Sequence, residues 1–569
     1  MSRSIGKGRP TAHLGVFVGA AFLTAALSQA DRQVFRADQT FAKAEKAGRG
    51  IDKRADLPRR GSIVSRDGQV LAQSRDEYRL SLSKEAVPRS PGFFADLGQA
   101  SGIPAAEIQA AVESSVKRPS WSQSLGTEEV NRVRQVQKRW GADGVSLDPV
   151  SRRMYPLGPA VASILGNIVD GKPSGGLEQA LDEDLAGRKG MRRGVTDRYG
   201  AYLPGRMESD SYSREDGKEI VLTLDADLQA SATVHLQRSV EAHKADRGVA
   251  LVMDPKTGDL LAMASWPEVT PDPTKSISGY NPNYSMVFEP GSTFKILTMA
   301  EAMETGDITR NTVIQCDGTF HFGRGYRVRC DAHGGGRAHG PLDPEMAIAK
   351  SCNVSAAKWA LMVGRDKMIE NLDKLGLLKP TGIGVPKGTD VAGQFNFGEW
   401  AKQQQVANVG FGQSISCTPV ALISAYSTLA NGGVRMKPRL IKRIGELERK
   451  PEVAARVFSE PVAEEVMELM EAVIGSDRGT GKSLRIDGYR LAGKTGTAQK
   501  IGSGQGYVSS FVGYVPANDP QAVILVMVDN PKGSQYYGSQ VAGPVFRAVA
   551  LDLIRTMRIS PERKAHARR

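Results

Sequence analysis

The chain has 569 residues, 40% of them apolar and 24% charged. That is enough for several domains with a buried core, and it excludes global disorder. The formal net charge of +13 suits anionic partners such as a membrane surface or an anionic polymer. No paired zinc-finger spacing or aromatic ribonucleoprotein signature accompanies it, so nucleic acid is not expected as a partner.

Basic residues Arg3, Lys7 and Arg9 precede an apolar stretch from Leu14 to Leu27, which Ser28-Gln29 and Asp31-Arg32 close. Taken over residues 13–30, the stretch reads as a single-pass membrane anchor, since a helix of about 17 residues is the shortest that spans. Positive charge on the entry side leaves residues 1–12 as a cytoplasmic tail and exports the remainder. Ser28-Gln29-Ala30 also resembles a cleavage site, so a removed signal peptide stays open as an alternative.

Residues 31 to about 60 are charged and read as a juxtamembrane helix or linker. Gly61–Ala72 then reads as a hairpin turning at Asp67-Gly68. Helix-like apolar spacing runs through residues 92–142, for example Ala105 to Val116. Residues 31–225 thus form an irregular α+β module. A second module opens with a strand at 219–224, a helix capped by Asp225 and running from Ala226 to His243, and a hairpin of 248–254 with 259–264. It closes with strands at 510–515 and 522–528 and a helix from Val541 to Met557. Such a pattern predicts an α+β fold, an antiparallel sheet covered by helices. The tail 558–569 is basic.

Three short motifs fall in the second module: Ser292-Thr-Phe-Lys295, Ser351-Cys-Asn353 and Lys494-Thr-Gly496. A serine hydroxyl attacks only when a base removes its proton. Ser292 follows Pro290-Gly291 and is expected to begin a helix through Met303, which places Lys295 beside it one turn on. The Lys295 amine serves as base only when neutral, through desolvation or a nearby cation, and Lys494 can be that cation. A helix start also offers spare backbone N–H groups for an oxyanion.

These motifs, in this order and within the longer runs Phe288–Lys295 and Ala492–Gln499, resemble the class B penicillin-binding proteins. Arg60-Gly61-Ser62-Ile63, Arg66-Asp67-Gly68 (with Ser65 where an Asp is usual), Arg153-Met-Tyr-Pro156, Gly175-Gly-Leu-Glu178 and Gly410–Pro419 extend the resemblance over nearly the whole chain. It implies a penicillin-binding dimerisation-type pedestal at 31–225 and a penicillin-binding transpeptidase domain at 226–557. The implied activity is a peptidoglycan D,D-transpeptidase with no cofactor. Ser292 would be acylated by a D-Ala-D-Ala stem peptide, and by β-lactams as mimics. Lys295 would activate it, Ser351 relay a proton, Asn353 orient the substrate amide, and Lys494 and Thr495 bind the carboxylate beside Gly496. Backbone N–H groups of Ser292 and Thr497 would form the oxyanion hole.

The pedestal is too short for a glycosyltransferase, so a polytopic glycan polymerase is expected to act in trans. Asp529–Gly533, Tyr536-Tyr-Gly538 and Val541–Phe546 resemble the division-type branch. They imply a septal enzyme in the cytoplasmic (inner) membrane, with divisome membrane proteins as partners and its catalytic domain in the periplasm or otherwise outside the cell. A side-wall elongation enzyme is the alternative, followed by a β-lactam-hydrolysing or sensing serine enzyme.

Four cysteines are too few for a disulfide scaffold. Cys316, Cys330, His333 and His339 lie in one loop between the first two motifs. No metal is assigned to them; a zinc site, a Cys316–Cys330 disulfide and free thiols all stay open. Cys352 and Cys417 read as small packing residues.

Overall fold

The computed structural model describes residues 51–562 apart from 197–201, 208–210, 269–270, 273, 324, 331–336, 396–402 and 501–505, and near the N-terminus residues 23–25, 27–28 and 31. The anchor expected at 13–30 therefore lies mostly outside the described residues. Among those described, no helix is long and apolar enough to cross a membrane.

The C-terminal half is built on five antiparallel strands. They are β1 (Arg247–Met253), β2 (Leu260–Trp266), β3 (Ala492–Gln499), β4 (Tyr507–Val515) and β5 (Ala522–Asp529), in the spatial order β2-β1-β5-β4-β3. Each apolar run expected to be a strand is one. The runs are apolar without alternation because both faces are covered. Val249, Leu251 and Met253 of β1 belong to one core, with Leu525 and Met527 of β5. Ala250 and Val252 face a second core with Leu236, Val541 and Phe546. The second core belongs to helices α1 (Ala226–Ala242) and α5 (Gly538–Thr556), the two helices read from the sequence. Asp225 caps α1 as expected, its carboxylate accepting from Leu228 N at 3.0 Å. The first core holds α2 (Lys295–Glu304), α3 (Asn353–Val363) and α4 (Pro419–Ala430). Burying each such Val, Leu or Ile contributes about 1.5–3 kcal/mol.

The hairpin expected at 61–72 pairs Ile63–Val64 with the long strand Val70–Leu82. Gly68 turns it at φ +86°. Ser65 closes it, donating to Asp67 Oδ1 at 2.6 Å and accepting from Gln69 N at 3.0 Å. The helical expectation for 92–142 resolves into helices Pro91–Ser101, Ala105–Glu113 and Thr127–Trp140, with a strand Ser120–Leu125 between the last two. These strands share one sheet with Ile220–Leu222 and with Ile441–Ile444 and Leu447–Glu448 from far along the chain.

The chain divides into two compact units, residues 1–59 with 187–217, and 60–186 with 218–569. In the first, Ile51–Asp56 is a strand paired antiparallel with Gly190–Thr196, which pairs with Tyr202–Met207. This corrects the reading of 31–60 as helix or linker throughout. The partner strand is remote in sequence, and no local pattern announces it.

Within the larger unit, Glu178 is fully buried. Its carboxylate accepts from Arg60 Nε at 2.6 Å, Arg153 Nε at 2.7 Å and the Tyr155 hydroxyl at 3.4 Å. Three separate sequence segments thus meet at one acid. Burial works to discharge Arg60, but Glu178 and Asp182 outweigh it and hold the guanidinium above its usual pKa.

Candidate active site

The turn carrying Ser292 is fixed from both sides. Gly291 sits at φ +55°, and a Cβ there would lie 2.9 Å from Ala498 Cβ of β3. Ser292 does not open a regular α-helix as expected. Gly291–Phe294 is a 3-10 turn that runs straight into α2. Thr293 is buried, its hydroxyl donating to Pro290 O at 2.7 Å and its carbonyl accepting from the Tyr426 hydroxyl. Ser292 stays partly accessible between buried neighbours.

One turn on, Lys295 is 1% exposed. Its Nζ lies 3.0 Å from Ser292 Oγ, 2.7 Å from Ser351 O, 3.1 Å from Ser351 Oγ and 2.6 Å from Asn353 Oδ1. Ser351 adopts φ +56°, a left-handed conformation that costs a non-glycine residue on the order of 1–3 kcal/mol. In that conformation its carbonyl and hydroxyl both face Lys295. Asn353 opens α3, and its Nδ2 donates to Arg329 O at 2.9 Å, which turns Oδ1 toward the amine. From β3, Lys494 Nζ donates to Ser351 Oγ and to Thr495 O, each at 2.9 Å. A continuous path therefore runs Ser292 Oγ, Lys295 Nζ, Ser351 Oγ, Lys494 Nζ. It joins residues from three distant segments.

Burial lowers the Lys295 pKa to about 8, against an opposing pull from Cys330 and Cys352. Lys494 is held well below its usual value, first by burial and then by the charge on Lys295. Of the two causes the sequence left open, desolvation and a nearby cation, desolvation is the one that depresses Lys295, and the repulsion between the amines is felt at Lys494. A neutral Lys295 has two N–H groups. Ser351 O, Ser351 Oγ and Asn353 Oδ1 share them, and the lone pair is left for the Ser292 proton.

Gly496 permits the close approach of β3 to this turn, because a Cβ there would lie 2.2 Å from Ser510 Oγ and 2.9 Å from Thr293 Cγ2. Thr495 is buried with its hydroxyl 2.9 Å from that of Thr480, a residue the sequence reading did not single out. Thr497 is half-buried, and its hydroxyl accepts from Gly538 N at 3.0 Å. The Tyr536-Tyr-Gly538 stretch is thereby seated against the end of the Lys-Thr-Gly strand. Beyond it, Glu289, Ser416, Gln499 and Lys500 help line a cavity of about 550 Å³ that does not include Ser292.

All four cysteines are unbridged, so the Cys316–Cys330 disulfide is not formed. Cys316 and Cys330 instead face His339 Nδ1 at 3.6 and 3.1 Å. Cys352, read as a packing residue, joins them with its Sγ 3.3 Å from Cys330 Sγ. Their shared hydrogen bond raises the Cys330 thiol and lowers that of Cys352. His333 lies outside the described residues. Cys417 is buried apart from this group, as expected of a packing residue, and burial raises its thiol to about 12.

A partly accessible serine backed by two buried amines, beside the edge strand of an antiparallel sheet, is the equipment of a serine acyl-transfer enzyme. Known proteins specify it further. The penicillin binding protein transpeptidase domain matches residues 248–551, and the penicillin-binding protein dimerisation domain residues 55–222. Stage V sporulation protein D of Bacillus subtilis (strain 168) is 29% identical over 531 residues, 89% of this chain and 79% of that one. Peptidoglycan D,D-transpeptidase FtsI of Escherichia coli (strain K12) is 29% identical over 521 residues, 88% of this chain and 84% of that one. The crystal structure of penicillin binding protein 3 from Mycobacterium tuberculosis complexed with aztreonam superposes with a TM-score of 0.67 at 27% identity, covering 90% of this chain and 98% of that one. The chain belongs to the penicillin-binding protein transpeptidase family, as a class B peptidoglycan D,D-transpeptidase of the serine type.

Proposed function

We propose that Ser292 is the nucleophile of this transpeptidase and that the enzyme cross-links stem peptides at the division septum. The observation that carries the first part is the unbroken path from Ser292 Oγ through Lys295 Nζ and Ser351 Oγ to Lys494 Nζ. Neutral Lys295 takes the Ser292 proton as Oγ attacks the carbonyl carbon of the penultimate D-Ala. The tetrahedral oxyanion rests on backbone N–H groups of Ser292 and Thr497. Its collapse breaks the peptide bond, and Ser351 Oγ passes a proton to the departing D-Ala amine while taking the one held by Lys295. The acyl group then moves to an amine of a neighbouring peptide, whose proton returns by the same path, through Ser351 and Lys295, to Ser292 Oγ as the ester bond breaks. Lys494 and Thr495 hold the terminal carboxylate of the donor, and a β-lactam enters by the same attack.

Mass spectrometry after exposure to a penicillin is expected to find one covalent adduct, on Ser292. A modified residue elsewhere would overturn the assignment. The adduct should persist for many minutes, because rapid loss would favour a β-lactam-hydrolysing enzyme. Acylation needs Lys295 unprotonated, so its rate should rise with pH through an apparent midpoint near 8 and then level off. That midpoint belongs to the coupled Lys295–Lys494 pair rather than to either amine. A rate flat from pH 6.5 to 9.5 would rule out the amine as base.

The septal role is supported by the resemblance of the stretch from Asp529 to Phe546 to the division-type branch. A glycan polymerase acting in trans, with other division proteins, and an inner-membrane anchor with the catalytic domain outside complete the reading. Depletion is expected to leave elongating cells that fail to constrict. Rounded cells would indicate the side-wall alternative.

A further inference from the structure

Three sulfurs and one imidazole nitrogen converge behind the catalytic turn. Cys316 Sγ, Cys330 Sγ, Cys352 Sγ and a ring nitrogen of His339 all lie within 4.8 Å of one another. From this convergence we propose that the four residues form a structural zinc site that clamps the Ser351-Cys-Asn353 turn.

The spacing fits the ion. Zinc binds thiolate at about 2.3 Å and imidazole at about 2.0–2.1 Å, so a tetrahedron of three sulfurs and one nitrogen has edges of roughly 3.5–3.8 Å. The observed separations of 3.1 Å for Cys330–His339, 3.3 Å for Cys330–Cys352 and 3.6 Å for Cys316–His339 need shifts of only a few tenths of an ångström. Soft thiolates with one imidazole select zinc over magnesium, calcium or manganese. Four protein ligands also leave no open position for substrate, which marks a structural rather than a catalytic site.

The backbone brings these ligands together without help from the metal. Cys316 ends the strand Ile314–Cys316, and its carbonyl accepts from His339 N at 3.1 Å where the strand Gly340–Leu342 begins. Cys330 follows the hairpin strand Tyr326–Arg329, its N–H donating to Gly318 O at 2.8 Å. Cys352 caps α3. Cys316, Cys330 and Cys352 are 0%, 7% and 1% exposed. Binding releases the thiol protons to solvent and changes no oxidation state.

The site has a consequence for the catalytic turn. Cys352 stands between Ser351 and Asn353, the two residues that accept from Lys295. The amide of Asn353 is in turn held by Arg329 O, next to Cys330. An ion on Cys330 and Cys352 therefore ties both sides of this contact and holds Ser351 in its left-handed conformation. The metal positions these residues and touches no substrate.

The test uses the full chain purified from zinc-supplemented cells without chelator. Elemental analysis is expected to give one zinc per chain, released stoichiometrically to a chromogenic chelator by a mercurial thiol reagent. Exchange with cobalt should give the intense visible bands of a tetrahedral thiolate site, a readout independent of activity. Cys316→Ser and His339→Ala should each bring the zinc content to background. The wild-type measurements stand even if those variants fold poorly. A metal-free chain with four titratable thiols would overturn the proposal, as would a Cys330–Cys352 disulfide found by peptide mapping.

Discussion

Replacing Lys295 with alanine is expected to slow acylation of Ser292 by a fluorescent penicillin by roughly 10²–10⁴-fold, the usual contribution of a positioned base. That corresponds to about 3–5 kcal/mol of barrier. Lys295 Nζ stands 3.0 Å from Ser292 Oγ, while its other partners are acceptors that tie up the remaining hydrogens. Water filling the space would keep Ser351 O and Asn353 Oδ1 hydrogen-bonded but could not supply an amine lone pair. Lys295→Arg separates the base from the charge, because a guanidinium keeps the positive charge and never deprotonates near neutral pH. It should be as inactive as Lys295→Ala. Wild-type acylation by the arginine variant would show that charge alone suffices and that proton abstraction lies elsewhere.

A second large effect falls far from the catalytic serine. Glu178→Ala should destabilise the larger unit by about 3–5 kcal/mol, the cost of removing one partner from a buried ion pair. The acid is fully buried, and Arg153 beside it is only 4% exposed. The alanine variant leaves two guanidinium groups facing a void. Asp182 would still pair with Arg60 at 2.5 Å, but that carboxylate is 41% exposed and does not reach the Arg153 pairing. Urea unfolding, followed by tryptophan fluorescence, checks this directly. Glu178→Gln should lose less, since it keeps the shape and one acceptor oxygen. Equal stability of Glu178→Ala and the wild type would mean that the arginines rehydrate freely.

The residue pattern alone carried the chemistry and much of the scaffold. Three motifs in order indicated a serine acyltransferase through their resemblance to a known family, and helical spacing placed Lys295 one turn from Ser292. The runs that became β1, β2, β4 and β5 were legible, since a strand covered on both faces is apolar throughout. Asp225 and Asp67-Gly68 marked a cap and a turn through short-range hydrogen bonding. Ile51–Asp56, by contrast, pairs with Gly190–Thr196, and nothing in six charged and apolar residues names a partner that far away. The joining of Ile441–Ile444 to Ile220–Leu222 was hidden for the same reason.

Burial was also decided only in three dimensions. The residues left desolvation and a nearby cation both open for Lys295; desolvation is what lowers it, and desolvation depends on everything packed around the amine. Cys352 looked like filler until the fold set its sulfur beside Cys330. Arg60, Arg153 and Glu178 were visible as separate motifs, but their meeting at one carboxylate was not. Turns, caps and helical spacing depend on neighbours along the chain, so they can be read in order. Strand partners, charge pairing and dielectric environment depend on neighbours in space, and only the folded chain supplies those.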